Sequence, residues 1–506
     1  MSRKKAVSGM AKRALLCVLM LCACGLLCGC GEVITERPEE TADPSAIPAA
    51  AEVPLEDGIQ VTETEEILYF LNEDGSRLVP VVRTFVAAGR NARLNALISA
   101  ELNGPLDGER GAYWPETDGK AFTLTVSDQY AEVDLPSSYR ALDPEALYAV
   151  RRAVAETLCS AGMSHVLVLV GGREEGVDLA GTMPAGTFGR TSDLDIESAY
   201  AELEDQRTAQ EAFTGSAAVY LPTVDGRLLY PTVRSVTCES ASRLPCLYAL
   251  LEEMGRDMQL ALLADRVPAP LDYVEESPDI VRTEDGAYLV IRLTFQEELR
   301  EALAEDGISL YVYAGMLTDT LMGFVPGVDG VEILIGGSRI REFKAEDTPD
   351  GSALTVCDEP LTRSLFASLL AAPVTLYVRG YDEDKLSEKR VLIPASENGA
   401  RAILEELIRL PASESALPSG MTAEDILAVR LEQENAVLNL SENTFSLLQE
   451  MQTRDAALAV YAIVNTLTEA GGERGAVFFF DGQQKDGFAD GIVLRGRLLR
   501  NPGIVE

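Results

Sequence analysis

Ile67-Leu68-Tyr69-Phe70-Leu71 recurs as Ala218-Val219-Tyr220-Leu221 and again as Thr375-Leu376-Tyr377-Val378, with the tyrosines 151 and 157 residues apart. Each segment is followed by an acidic or glycine turn: Glu73-Asp74-Gly75, Val224-Asp225-Gly226 or Asp382-Glu383-Asp384. A second extended segment then carries Arg83, Arg234 or Arg390, at 14, 14 and 13 residues from its tyrosine. Self-similarity on this scale marks a chain built from copies of one unit.

The likeness continues outward. Every second strand leads into an amphipathic helix whose apolar positions fall three and four apart, on one face. These are Leu94, Leu97, Ile98 and Leu102, then Leu244, Leu247, Leu251 and Met254, then Ile403, Leu404, Leu407 and Ile408. Gly104-Pro105, Gly255 and Pro411 supply the stops. In the first copy Phe122-Thr123-Leu124-Thr125-Val126 alternates as a half-buried strand, turns at Asp128-Gln129 and returns through Ala131-Glu132-Val133-Asp134-Leu135. The return strands of the other copies are read at residues 288–293 and 436–440. A longer helix follows in each copy, marked by Leu147, Val150, Val154 and Leu158, by Leu310, Ala314, Leu317 and Leu321, and by Leu458, Tyr461, Val464 and Leu467. Each copy closes with an apolar strand and a turn, Gly171-Gly172, Gly336-Gly337 or Asp481-Gly482, the dipeptides that tolerate two successive positive φ angles.

The order is thus ββαββαβ with a short final hairpin strand, an α/β (α+β) fold in which two helices are expected on one face of a single mixed sheet. The copies are placed at residues 65–180, 215–345 and 373–498. Residues 181–214 and 346–372 read as linkers, with 361–370 apolar enough to pack on a neighbouring copy, and 499–506 as a tail.

The beginning of the chain is of another kind. Arg3, Lys4, Lys5, Lys12 and Arg13 precede an apolar run at 14–27, too short for a comfortable membrane span and right for a signal-peptide core. The run ends in Leu27-Cys28-Gly29-Cys30, a lipobox pattern that designates residues 1–30 as a lipoprotein signal and Cys30 as the lipidated residue. Leu21-Cys22-Ala23-Cys24 is an overlapping alternative. Residues 31–64, rich in Glu, Pro, Ala and Thr, read as a disordered stalk. The expected location is the outer face of the cell membrane, held there by acyl chains.

The formal net charge of −38 argues against nucleic acid and anionic headgroups as partners. No calcium loop is present. Four cysteines lie beyond the signal: Cys159, Cys238, Cys246 and Cys357. Cys238 and Cys246 are close enough in sequence for a local disulfide, but Cys246 falls inside a helix, and buried free thiols are the expected state.

The order of elements, with Leu102-Asn103-Gly104-Pro105 ending a helix, Val133-Asp134-Leu135 in a strand and Val166 to Val170 closing the unit, resembles the GerMN (Germane) domain of sporulation and spore-germination lipoproteins. Copy one carries the pattern best; copies two and three place Ile291-Arg292-Leu293 and Leu438-Asn439-Leu440 at the Val-Asp-Leu position. The resemblance implies an extracytoplasmic module, often in tandem, that works in protein–protein assembly or cell-wall contact and not in a reaction. Asp134 is then not a catalytic carboxylate, since its counterparts are not acids.

Residue chemistry agrees. His165 is the only histidine, so repeated histidine bases or zinc sites are excluded, and no nucleophile elbow or phosphate loop follows a strand. No cofactor or metal is expected. With 81 Asp and Glu, a pair of carboxylates for glycan hydrolysis can be drawn anywhere. Tyr113 and Trp114, the latter the only tryptophan, form the one candidate ligand-contact patch, against the plainer reading of a loop anchor. The expected role is scaffolding or binding in the envelope with protein partners; the alternatives are peptidoglycan or glycan binding and, third, cell-wall hydrolysis.

Overall fold

The computed structural model describes residues 63–506 apart from short stretches at 87–89, 210–211, 257–259, 349–350, 357–358, 383, 396–398, 433–434, 472–474 and 488–491. Cys30, the signal, most of the stalk and Cys357 lie outside the described residues. No helix among the described residues is long and apolar enough to cross a membrane.

Copy one runs β1 (Glu63–Leu71), β2 (Leu78–Val86), α1 (Arg90–Leu102), β3 (Thr123–Ser127), β4 (Tyr130–Leu135), α2 (Pro144–Ser160), β5 (His165–Val170) and β6 (Thr187–Phe188), followed by α3 (Ile196–Ala209). Copy two has β7 (Phe213–Pro222), β8 (Leu229–Cys238), α4 (Arg243–Met254), β9 (Val274–Arg282), β10 (Leu289–Phe295), α5 (Glu298–Glu305), α6 (Leu310–Met322), β11 (Gly330–Ile335) and β12 (Ser338–Arg339). A small ribbon, β13 (Glu342–Phe343) with β14 (Leu354–Thr355), comes next. Copy three has β15 (Ala371–Arg379), β16 (Leu386–Pro394), α7 (Gly399–Arg409), β17 (Ile426–Glu432), β18 (Asn435–Leu440), α8 (Glu442–Glu450), α9 (Thr453–Gly471), β19 (Gly475–Phe480) and β20 (Arg497–Leu499).

The sheet differs from the single one expected. In every copy the first two strands form a separate antiparallel ribbon, and a second, four-stranded sheet takes the order β3-β4-β5-β6, β9-β10-β11-β12 or β17-β18-β19-β20. In each the central pair is parallel and the flanking pairs antiparallel. The reason lies in the long helix, which bonds to the ribbon. Thr157 Oγ1 in α2 accepts the backbone N–H of Tyr69 at 2.9 Å, Thr320 in α6 that of Tyr220 at 3.0 Å, and Thr466 in α9 that of Tyr377 at 2.9 Å. All three threonines are fully buried. A threonine hydroxyl thus takes up a strand N–H that a neighbouring strand would otherwise take. Thr466→Val is expected to leave the Tyr377 N–H unpaired in the core and to cost about 1–3 kcal/mol, read by chemical denaturation.

The predicted turns hold. Gly171-Gly172, Gly336-Gly337 and Asp481-Gly482 all have positive φ at both positions. In each, the first residue's N–H bonds to the end of the neighbouring strand, at Leu135, Phe295 or Leu440. These anchors, with the parallel registers, make Leu293-Thr294-Phe295 the counterpart of Val133-Asp134-Leu135 in copy two. The triple read from sequence, Ile291-Arg292-Leu293, is two residues early; a shift of two keeps the same face and is invisible to alternation.

The linkers are built into the fold. Within 181–214, β6 pairs with β5 and Ile196 at the head of α3 is buried. Within 346–372, Leu361 bridges Val331 at the place that β6 and β20 occupy beside β5 and β19, and Phe366 and Leu369 are fully buried. The tail is tied down too, because the Glu506 carboxylate accepts from Tyr381 N at 2.8 Å and Asp382 N at 3.1 Å. The packing of residues 361–370 was legible from their apolar run, whereas in 181–214 and 499–506 a few apolar or paired residues sit in loop-like sequence that masks them. Leu244, assigned to a buried helix face, is 41% exposed.

Copies one and two share one continuous hydrophobic core, whereas copy three encloses its own. The outer face of the first copy's sheet is covered by copy two: Leu167 lies against Gly323 at the end of α6, and Gly186 leaves no room for a Cβ beneath the Ser216 carbonyl.

Candidate functional site

The faces where copies meet bring together the most distinctive chemistry of the chain. The hairpin tyrosine reappears at the centre. Its hydroxyl in copy two, Tyr220, donates to Glu132 on β4 of copy one and lies 3.0 Å from the Tyr130 hydroxyl. Arg363, beyond Leu361, completes the cluster. It donates to Glu132 at 2.5 Å, to the Tyr220 hydroxyl at 3.0 Å and to the Asp319 carbonyl, with its guanidinium 5.1 Å from the Tyr220 ring centre.

Copy three repeats the arrangement with its own residues. The Tyr377 hydroxyl donates to Glu469 and lies 3.1 Å from Glu388, while Arg500 bonds Glu469 at 2.7 Å and lies 5.4 Å from the ring centre. Counting from the closing-strand pairs Val166↔Phe188, Val331↔Leu361 and Ala476↔Leu498 makes Arg190, Arg363 and Arg500 equivalent. Copy two has Gly323 and Pro231 where copy three has Glu469 and Glu388, so its missing carboxylate comes from Glu132 of copy one. Sequence reading missed Arg190, Arg363 and Arg500 because all three fall in segments taken for linker or tail.

Burial separates the acids of this junction. Glu132 holds the ion pair, while Asp319 is fully buried, 4.0 Å from the nearest Arg363 nitrogen, with Oδ1 unbonded. Burial outweighs the Arg363 attraction and pushes Asp319 up to about 7. An unfolded aspartate titrates near 4, so between about pH 4 and pH 7 the folded chain binds the extra proton. Stability contributed by this group is therefore present at low pH and falls as pH rises to about 7. Asp319→Asn is expected to flatten that part of the melting temperature's pH dependence between about pH 4 and 7.

Two other buried acids serve packing. Glu174 is pushed up to about 7 by burial, yet meets Arg151 at 2.5 Å and accepts from Ala185 N. Glu101 in α1 is held well above the usual carboxylate range by burial. Neither lines the niche at Leu221, Met254, Leu263 and Val267, whose volume of about 20 Å3 is enough for a single water.

The sequence-selected residues take other places. Trp114 is 7% exposed, its ring edge-to-face with Phe70 at 6.0 Å and its indole N–H donating to the Tyr139 hydroxyl at 3.1 Å. Tyr113 is 43% exposed, so the two rings do not form one contact patch. Burial with a hydrogen-bond partner favours the plainer reading of Trp114 as the anchor of its loop. Asp134 accepts from Gly172 N at 2.8 Å, as Asn439 does from Gly482 N, and so braces the closing turn. His165 opens β5 half-buried, and burial lowers its pKa. Cys159, Cys238 and Cys246 are buried free thiols. Among the described residues no cluster of three His, Cys, Asp or Glu is placed to hold a metal.

Arg83 and Arg234 cap the first helix of their copies, through Gly104 O at 3.0 Å and Glu253 O at 2.7 Å. Arg390, one residue nearer its tyrosine, falls on the opposite face of its ribbon and bonds Asp128 of copy one at 2.6 Å.

Comparison with known proteins places the third copy. Residues 375–486 match the Germane family, described as sporulation and spore germination. Among solved structures, the tandem GerMN domains of the sporulation protein GerM from Bacillus subtilis align at 16% identity over 56% of this chain and 98% of that one, with a TM-score of 0.22. A candidate lipoprotein from Clostridium perfringens aligns at 18% identity over 26% and 87%, with a TM-score of 0.18. No curated protein matches the chain.

Proposed function

We propose that this is a non-catalytic envelope protein, anchored by lipid at Cys30, that acts by docking its modules against protein partners during sporulation or germination. The observation that carries the reading is the Germane match of copy three; copies one and two, which repeat its arrangement of elements, are read as divergent members of the same family. The docked faces support it further, because in copy two the repeated tyrosine and its arginine, Tyr220 and Arg363, meet Glu132 of copy one instead of lining a cleft. The test is loss of the chain in its native host, with counts of heat-resistant spores and of spores that germinate. Either count is expected to fall, to recover with the intact chain, and to stay low with Cys30→Ser. Unchanged counts would sink the sporulation link.

A further inference from the structure

The three ribbons present equivalent outward faces, and two of them are occupied. Register fixes the equivalence: Ile67↔Val82 in copy one corresponds to Ala218↔Val233 in copy two and Thr375↔Arg390 in copy three. In copy two this face lies on copy one. Ala218 is 1% exposed, Pro231 is buried, and the Thr187 hydroxyl donates to Ser216 Oγ at 2.7 Å. In copy three it also meets copy one: Ser127 Oγ donates to Ala371 O at 3.0 Å, Arg390 pairs with Asp128, and Leu392 packs on the shared core.

In copy one the same face is open. Ile67 is 37% exposed, Val82 61% and Val86 57%, and Pro80 and Thr84 are exposed between them. Its charge is incomplete as well. Ser160 and Pro80 stand where copy three has Glu469 and Glu388, so copy one, like copy two, lacks the acids of its own tyrosine site. Copy two obtains its carboxylate from a neighbouring module. Arg190, the equivalent of Arg363 and Arg500, is exposed and makes no hydrogen bond or ion pair among the described residues. Glu156 nearby feels the charge of Arg190, but its hydrogen bonds go to Arg152 at 2.8 Å and Thr191 N at 2.9 Å.

We propose that the outward face of β1 and β2, with Arg190, docks on a module of a second copy of this chain that presents a carboxylate to Arg190, as Glu132 does to Arg363. The inference rests on the docking function proposed above and names its partner. Two features select a second copy. Both occupied ribbons in the chain rest on a module of this same kind, so the face fits one. The second is that another chain offers carboxylates to Arg190, among them Glu275, Glu276 and Asp279, exposed on the edge strand β9. The contact is head-to-tail, since the ribbon of one chain meets a different surface of the next.

The test uses the full chain in its native membrane, expressed with two different epitope tags and with a photo-crosslinking phenylalanine analogue at Val82. Irradiation is expected to yield a species of twice the chain's mass carrying both tags, reduced about tenfold by Arg190→Glu and less by Arg190→Lys. The same analogue at Tyr381, fully exposed on a turn of copy three, is expected to yield none. Absence of the doubly tagged species, or its persistence at full yield in Arg190→Glu, overturns the proposal. A crosslink to a different polypeptide overturns the second copy as occupant while leaving the envelope-docking function standing, and unchanged spore counts would strike that function alone.

Discussion

Arg363→Ala is expected to destabilise the joint core of copies one and two by about 3–5 kcal/mol, because it strands Glu132 in a buried site without its cation. The loss is larger than that of a surface ion pair, since Arg363 and Glu132 are 7% and 12% exposed at their side chains. Tyr220 and the Asp319 carbonyl lose a donor in the same step. Copy three has a separate core, so calorimetry is expected to show two transitions, with only that of copies one and two moving, by roughly 10 °C. Hydrogen exchange resolved by peptide would assign the transitions. Equal displacement of both, or of neither, would contradict the junction described here. Arg363→Lys keeps the charge but loses the planar fork that reaches three acceptors at once, and is expected to fall between.

Trp114→Ala is expected to cost about 3–5 kcal/mol, the range for removing a large buried aromatic ring. The indole fills the space between Phe70 and Tyr139, and its removal leaves the Tyr139 hydroxyl without its donor. Trp114→Phe, which restores most of the volume without the N–H, is expected to recover more than half of the loss. Denaturation monitored by hydrogen exchange in copy one checks both. A stable Trp114→Ala chain with weakened affinity for glycan strands would restore the sugar-contact reading that the burial of this ring opposes.

The fold was legible where periodicity and turn chemistry spoke together. Leu94, Leu97, Ile98 and Leu102 bury as their spacing requires, and the three closing dipeptides adopt the positive φ angles their residues favour. The separation of ribbon from sheet was not legible, because it depends on Thr157, Thr320 and Thr466, threonines within helices at 88, 100 and 89 residues from their tyrosines. The repeated tyrosine is plain in the sequence, but its arginine partner is not. Arg83, Arg234 and Arg390 looked equivalent by spacing, yet a one-residue difference turns Arg390 to the other face. The true set, Arg190, Arg363 and Arg500, follows strands of two or three residues, or a single bridge, too short to carry alternation. Long-range pairing made the site, and single-residue spacing could not.

Docking without chemistry is the claim on which the account turns, and capture by the chain tests it most directly. The chain with Cys30→Ser would be offered purified peptidoglycan sacculi and crosslinked native envelope side by side. Retention of a defined protein, with sacculi neither bound nor digested, is the predicted result. Release of muropeptides from the sacculi would contradict it.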